Sequence, residues 1–216
     1  MAATRRRRGP APAGGTRPAG GAGATSRSPM PDGERVLEAA IELAREIGWA
    51  NLRLRQVAAR LDMTLADLHG LYRDQDALAD AWFRRAERAM LAPAGDGYAD
   101  LPPAERVTRA LERWFAAVDR ERQISLDMIG TKLYLSHPHH WLPMVFHLSR
   151  LIQWLREVAR LDAGGRRRQI EEIGLTALFL RALWVWHWER SGTRAATRRC
   201  IESGAAGLFR VLGSRG

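Results

Sequence analysis

Arginine is the residue type with the clearest chemical use at the start of the chain. Six arginines lie within the first thirty residues, at positions 5–8, 17 and 27, and no acidic residue accompanies them. The rest of this segment is mainly glycine, alanine, proline, serine and threonine, which bury little apolar surface, so we expect residues 1–30 to be a disordered basic tail. Such a tail neutralises phosphates and steers association with a polyanion. The same composition also fits a solubilising tail, or a chain whose translation begins at Met30.

Histidine is the second residue type with chemical potential. His137, His139, His140 and His147 are grouped in the second half of the chain, and imidazole is a ligand that Zn²⁺ accepts. Because no cysteine or acidic residue lies among them to complete a ligand set, we expect no metal site. The sequence also lacks a nucleophile elbow, a P-loop and a glycine-rich dinucleotide-binding turn, so it predicts neither an enzyme nor a cofactor.

Composition places the chain among ordinary globular proteins. It has 216 residues, of which 46% are hydrophobic and 27% are charged, with a net charge of +10. The single cysteine, Cys200, excludes an intramolecular disulfide and favours a cytoplasmic location. The most apolar run, Ile173 to Trp188, contains Arg181 and is shorter than the roughly 20 residues that cross a bilayer, so we expect no membrane span. No apolar segment follows the first arginines, so the sequence predicts no secretory signal.

Apolar residues recur at intervals of three and four, and strand signals are nearly absent, which predicts an all-α fold. A first helix begins at Asp32 and stops at Gly48, where a left-handed residue is expected. Two short helices, at about 53–60 and 64–70, are joined by a tight turn, and a fourth helix starts near Asp74. The predicted core of this region is formed by Leu37, Ile41, Val57, Leu61 and Leu68.

Several prolines and glycines between residues 93 and 103 break the helical pattern and predict a domain boundary. Beyond it we expect helices at about 103–119, 122–135, 140–161, 166–190 and 193–212. The predicted organisation is therefore the basic tail, a helix-turn-helix domain at 31–91, and a helical effector-binding and dimerisation domain at 103–216. About nine helices are expected in total.

Residues 53–72 have the spacing of a helix-turn-helix, in which the second short helix enters the major groove of DNA. The run from Arg35 to Leu78 resembles the N-terminal domain of the TetR family of transcriptional regulators. The segments that carry this resemblance are Arg35-Val36-Leu37-Glu38-Ala39-Ala40, Ile47-Gly48-Trp49, Leu54-Arg55-Gln56-Val57-Ala58, Met63-Thr64-Leu65-Ala66-Asp67-Leu68-His69-Gly70-Leu71-Tyr72 and Asp74-Gln75-Asp76-Ala77-Leu78.

The resemblance implies roles for the residues of the second short helix and its surroundings. Thr64 would cap that recognition helix and contact a phosphate, and Tyr72 would close the motif. Arg53 and Arg55 open the preceding helix, where the family contacts the DNA backbone. The DNA-binding residues predicted in this way are Arg53, Arg55, Thr64, Leu65, Ala66, Asp67, His69, Tyr72, Arg73 and Gln75.

The recognition helix departs from the family pattern at five positions, namely Ala66, Asp67, His69, Leu71 and Gln75, where the family usually has Gly, Thr, Tyr, His and Lys. Between residues 62 and 76 four aspartates face one arginine, a net charge of −3 where phosphates would approach. Asp67 is a candidate acceptor for a cytosine amino group. Asp74 and Asp76 fit the cap and first turn of the fourth helix.

The second half of the chain holds six of the eight tryptophans, which fit either core packing or an apolar effector pocket. The resemblance favours a pocket, which we predict to be lined by Trp114, Met128, Tyr134, Trp141, Phe146 and Trp154. The last two helices are predicted to form a four-helix interface in a homodimer. Its predicted residues are Ile173, Ala177, Leu180, Trp184, Trp188, Cys200, Gly204 and Leu208.

Together these features predict a ligand-responsive transcriptional regulator, a repressor, that binds palindromic operator DNA as a homodimer and responds to a small apolar effector. The acidic recognition helix and the aromatic second half leave one alternative open. In that alternative the chain is a TetR-like lipid-binding protein without DNA binding, similar to the accessory proteins of ubiquinone biosynthesis.

Overall fold

The computed structural model describes residues 32–93, 95–132 and 141–213, and the side chains of 132 and 141–146 are not part of that description. The predicted basic tail and Tyr134 therefore lie outside the described residues, as do the side chains of Trp141 and Phe146. Within those ranges the chain has α-helices and no strand, which confirms the all-α class. The helices are α1 (Asp32–Ile47), α2 (Leu54–Arg60), α3 (Leu65–Leu71), α4 (Gln75–Leu91), α5 (Pro103–Asp119), α6 (Arg122–Lys132), α7 (Trp141–Val158), α8 (Gly165–Trp188) and α9 (Ala195–Gly213).

One hydrophobic core, here called the N-terminal core, is formed by α1, α2, α3, the first half of α4 and part of α6. Seven residues of α1 are buried in it, because the apolar residues of this helix recur at helical spacing. Val57 of α2 and Leu68 of α3 meet this side, and Leu78 and Trp82 close it from α4. The predicted residues Leu37, Ile41, Val57 and Leu68 are all in this core, and Leu61 packs against it half-buried.

Helix α1 ends at the predicted glycine. Gly48 has a φ of 82° with a ψ of 147°, a positive-φ extended conformation that glycine adopts without steric cost, rather than the left-handed helical one that was expected. A 3₁₀ turn that the sequence did not predict follows at Trp49–Asn51, and its Trp49 is buried in the N-terminal core. Gly48 therefore redirects the chain so that Trp49 fills the space between α1 and α2.

Helix α6 belongs to the N-terminal core although it follows the predicted domain boundary. Its residues Ile124 and Met128 are buried there, and Trp82 Nε1 donates a hydrogen bond of 2.9 Å to Ser125 Oγ. At the surface, Arg45 of α1 donates two hydrogen bonds to the carboxylate of Glu121. Met128, which was predicted to line an effector pocket, thus packs against the first four helices.

A second core, the C-terminal core, is formed by the second half of α4 with α5, α7, α8 and α9. Trp114, Phe115 and Phe179 pack in it with ring centroids 5.0–5.9 Å apart. Helices α8 and α9 approach closely because glycines face leucines across the contact: a Cβ added at Gly204 would overlap the side chain of Leu178, and one added at Gly174 would overlap Leu208. The predicted close helix approach is therefore present within one chain.

The loop between α8 and α9 is fixed by Glu189. Its carboxylate accepts hydrogen bonds from the Ala196 and Thr197 backbone N–H groups, at 2.8 and 3.0 Å, and from the hydroxyls of Thr197 and Ser191. Burial raises the pKa of this carboxyl, but the hydrogen bonds outweigh it and lower the pKa to about 2. Glu189 therefore satisfies the first N–H groups of α9, which no intrahelical acceptor reaches.

None of the described helices combines the length and the apolar character that a membrane crossing requires.

Candidate nucleic-acid interface

Helices α2 and α3 form a helix-turn-helix whose turn spans residues 61–64. Asp62 takes a left-handed conformation, with a φ of 52°, which aspartate tolerates better than most residues. Met63 N–H then donates to Ala58 O at 2.9 Å and closes the end of α2. The turn thereby holds the two short helices at a fixed angle.

A reciprocal cap begins α3. Asp67 N–H donates to Thr64 Oγ1 at 3.1 Å, while Asp67 Oδ2 accepts from the Thr64 hydroxyl at 2.7 Å and from the Thr64 N–H at 3.2 Å. The Thr64 side-chain hydrogen bond, together with the backbone one, lowers the pKa of the Asp67 carboxyl. The structure therefore assigns Asp67, predicted as a groove-facing residue, a capping contact that the sequence analysis did not foresee.

Helix α3 packs against the N-terminal core through one side, and its other side is exposed to solvent. Leu68 is 1% exposed and is the one buried residue of the helix, whereas Leu65 is 55% exposed. At about 100° per residue, the positions opposite Leu68 are those two residues before and two residues after it, Ala66 and Gly70, and both are exposed. Gly70 was not among the predicted residues, although the helical period counted from Leu68 identifies it.

Two predicted DNA contacts instead bind backbone oxygens of their own chain. The hydroxyl of Tyr72 donates to Gly33 O at 3.0 Å and ties the end of α3 to the start of α1. Burial raises the pKa of Tyr72. Gln75 Nε2 donates to Trp49 O at 2.8 Å and anchors the 3₁₀ turn. Both side chains are half-buried, so their contribution to the surface of this motif is small.

The aspartates near α3 have local partners that account for much of the acidic character. Asp74 caps α4 by accepting from Ala77 N–H at 2.7 Å, and its other oxygen accepts from Arg73 Nε at 3.0 Å. Asp76 lies in the first turn of α4, as expected from the helix dipole. Most of the negative charge of this segment therefore belongs to carboxylates that lie at the starts of α3 and α4.

The arginines of α2 differ in what they bind. Arg53 donates from its guanidinium to Ala50 O and Leu52 O, at 3.1 and 3.0 Å, and Arg60 pairs with Glu46 at 2.8 Å. Arg55 is exposed and forms no hydrogen bond or ion pair with any residue in the described part of the chain. Of these three, Arg55 is the cation most available to a phosphate.

The predicted interface stripe on α8 is open in the single chain. Ile173 is 70% exposed, Trp184 66% and Trp188 57%, and Ala177 and Leu180 between them are exposed as well. The rings of Trp184 and Trp188 contact each other edge to face, with centroids 5.7 Å apart. Ile170 of α8 and Val211 of α9 extend the same type of exposed apolar surface.

The predicted interface residues on α9 lie elsewhere. Cys200 is buried in the C-terminal core, and Gly204 and Leu208 contact α8 of their own chain. Their small size and apolar character serve intrachain packing, so an interface on this face depends on the α8 stripe.

The structure does not bring the described effector candidates together. Trp114 is buried in the C-terminal core, Met128 is buried in the N-terminal core, and Trp154 is 48% exposed on α7. Within the described part of the chain, Trp114 Nε1 is nevertheless a buried donor without a hydrogen-bond partner. A pocket at the start of α9 is lined by paired charges, including Arg198 with Glu112, and contains none of the predicted effector residues.

Comparison with known proteins relates the whole described fold to one group. No family model matches the chain. The chain is similar over 82% of its length to a TetR transcriptional regulator from Nitrosomonas europaea, with 31% identity, a TM-score of 0.72 and coverage of 98% of that protein. A TetR transcriptional regulator from Rhodococcus sp. RHA1 shares the fold at 20% identity with a TM-score of 0.61, over 82% of this chain and 93% of that one.

A curated relative matches in sequence over a shorter segment. An uncharacterized HTH-type transcriptional regulator from Xanthobacter autotrophicus is 35% identical over 77 residues, which cover 32% of this chain and 38% of that relative. The chain thus spans well under half the length of this relative, and the match supports the helix-turn-helix assignment rather than the function of the whole protein.

Proposed function

The chain belongs to the TetR family of transcriptional regulators, which are not enzymes, and on that premise we propose that it is a cytoplasmic, ligand-responsive repressor that binds palindromic operator DNA as a homodimer. The observation that carries the proposal is the presentation of α3. One buried leucine holds this helix on the N-terminal core, and its outer side is exposed from Leu65 to Gly70. A helix presented in this way has the shape that enters a major groove.

Phosphate contacts would come from the exposed end of α2 and from the start of α3. Arg55 has no acidic partner in the described residues. At the start of α3 the first backbone N–H groups have no intrahelical acceptor, whereas both donors of Thr64 are already bound to Asp67. Contacts of this kind set the position of a protein on DNA but do not read its sequence. The arginine-rich first thirty residues add positive charge that attracts the DNA backbone.

The α8 stripe supports the homodimer. Ile173, Trp184 and Trp188 expose large apolar side chains on one side of a 24-residue helix, and contiguous apolar surface of this kind is typical of protein interfaces. A two-fold pairing through this stripe uses the same residues on both subunits and presents two copies of α3 to the two halves of a palindrome.

Effector response requires a connection between the two cores, and α6 supplies one. Arg122 at its start donates to Glu189 O and to Trp186 O at the end of α8. Glu121 pairs with Arg45 of α1, and Met128 packs in the N-terminal core. We propose that a small apolar effector, bound near Trp114, shifts α6 and thereby changes the separation of the two recognition helices. By linkage, operator DNA then weakens effector binding by the same factor.

The lipid-binding alternative is favoured by one set of contacts. Asp67, Tyr72 and Gln75, which occupy positions expected to face DNA, are engaged in bonds within the chain. A chain that had given up DNA binding would be free to use these residues in that way. The same contacts also make α3 rigid, which serves DNA recognition.

The test is binding of the full-length protein to duplex DNA from its own promoter region at several salt concentrations. We expect a sequence-specific complex whose affinity falls steeply with salt, because counterions are released from the phosphates. Arg55→Ala removes one phosphate contact from each of the two subunits and should reduce the slope of log K against log salt by about 2. The matched control is Arg60→Ala, which removes an arginine already paired with Glu46 and should change the slope much less.

Two results would contradict the proposal. Equal binding to promoter DNA and to an unrelated duplex would remove the evidence for an operator. If lipid co-purifies with a protein that has no DNA preference, the alternative function replaces the one proposed here.

A further inference from the structure

We propose that the recognition helix reads thymine methyl groups through Leu65, so that each operator half-site requires a thymine at the base pair which this side chain meets. This inference rests on the proposed DNA binding and specifies what kind of sequence is bound. Leu65 is the first residue of α3 and is 55% exposed, and the N-terminal residues of a recognition helix face the base edges.

The exposed side of α3 has little capacity for hydrogen-bonded readout. Ala66 offers a methyl group and Gly70 offers no side chain, while Asp67 Oδ2 is committed to the Thr64 cap. His69 is the polar side chain of this surface that forms no hydrogen bond or ion pair within the described residues. Hydrogen-bonded readout from this surface is thus confined to His69 and the Asp67 oxygen outside the cap, and apolar contact by Leu65 adds a second source of specificity.

Among the groups that base pairs present in the major groove, the thymine C5 methyl is the apolar one. Contact with a leucine side chain removes that methyl from water and distinguishes thymine from the other three bases. Ala66 and Gly70 lie at the centre of the exposed side, so no bulky side chain there holds the helix away from the groove floor. Leu65 lies about 60° from Leu68 around the helix axis, but it is the first residue of α3, so the N-terminal end of the helix would bring its exposed part to the methyl group.

The contribution of one methyl group is measurable. Burial of a methyl-sized apolar group is worth about fourfold in affinity, from about 0.8 kcal/mol at 25 °C. Uracil has the hydrogen-bonding groups of thymine but lacks this methyl, so a thymine-to-uracil change in the DNA removes the proposed contact and leaves the base pair intact.

The experiment uses the full-length protein and duplexes selected by it from a random-sequence pool. Each thymine of the selected half-site is replaced by uracil in turn. We expect one position in each half-site at which uracil weakens binding about fourfold. With Leu65→Ala, thymine and uracil should bind equally at that position. Leu71→Ala is the matched control, because Leu71 is also an exposed leucine of α3 but lies at its C-terminal end, and this variant should retain the discrimination.

The outcomes separate the inference from the function on which it rests. If no duplex is enriched, the proposed DNA binding fails and the inference fails with it. If duplexes are enriched but uracil and thymine bind equally at every position, or if Leu65→Ala still discriminates, DNA binding stands and methyl reading is refuted. A half-site with no thymine-to-uracil effect and a preference for cytosine that is lost in Asp67→Asn would make Asp67 the reading residue and overturn the inference.

Discussion

Replacement of Trp184 by alanine should dissociate the proposed dimer while leaving each chain folded. Trp184 is 66% exposed on α8, so its removal creates no cavity in the C-terminal core. Its one described ring contact is with Trp188, which is exposed as well. The wild-type surface should be buried only when a second copy covers it, and the effect of the substitution should therefore appear in association rather than in folding.

The size of the effect follows from the exposed area. If a tryptophan side chain presents at most about 250 Å², the exposed part of Trp184 is roughly 160 Å². At about 25 cal/mol per Å², complete burial would contribute about 4 kcal/mol. Ordering of the side chain and incomplete burial reduce this to about 2 kcal/mol per copy. A two-fold interface contains two copies, so the dissociation constant should rise by about three orders of magnitude.

Sedimentation analysis over a range of protein concentrations measures this change directly. Trp154→Ala is the matched control, because Trp154 is a half-exposed tryptophan outside the α8 stripe, and it should leave the dimer intact. The reasoning is refuted if the Trp184→Ala protein dimerises as tightly as the wild type. Equal dissociation by Trp154→Ala would also refute it, since the interface would then not be defined by the stripe.

Three further predictions concern single side chains. Met128→Ala should lower the free energy of unfolding by about 2–5 kcal/mol in urea denaturation, since it leaves a cavity in the N-terminal core; a loss below 1 kcal/mol would contradict this packing. Glu189→Gln should lower the free energy of unfolding at pH 7. The pKa of Glu189 is about 2 in the folded protein against 4.5 normally, so its carboxylate stabilises the fold above pH 4.5 and this contribution is lost as pH falls to 2. The variant should therefore lose less stability over that pH range than the wild type, and an unchanged pH profile in urea titrations would count against the cap. Gly70→Ala should raise stability by about 0.5–1 kcal/mol, since a Cβ there meets nothing within 4 Å and alanine favours helix; it should also weaken operator binding, and equal or tighter binding would argue against close approach of α3 to DNA.

The helices could be predicted from the sequence because local signals determine them. Apolar residues at helical spacing gave the buried side of α1, Gly48 gave its end, and Thr64 and Asp74 gave the starts of α3 and α4. The 3₁₀ turn at Trp49–Asn51 was missed, because a single short turn leaves no periodic pattern. Local chemistry was thus sufficient for the described α-helices, including the seven-residue α2 and α3.

Long-range contacts explain the differences at the candidate site. Tyr72 bonds to Gly33 O and Gln75 to Trp49 O, partners that are 39 and 26 residues away in the chain. The apolar character of Met128 predicts burial but does not say which core receives it, and Cys200 is buried against its own chain for the same reason. The sequence of a helix indicates which of its sides is apolar and will be buried. Which element that side packs against depends on how all the helices assemble.

The burial of Ile124 and Met128 beneath the first four helices bears on how such regulators are recombined. A chimaera joined between residues 92 and 102 would combine the helix-turn-helix domain of one parent with α6 of another. The N-terminal core would then lose the apolar surface of α6 that fits it. A junction after Lys132 would keep α6 but would separate α5, with Trp114 and Phe115, from its partners in the C-terminal core. Because α5 and α6 belong to different cores, no single junction between α4 and α7 leaves both cores intact.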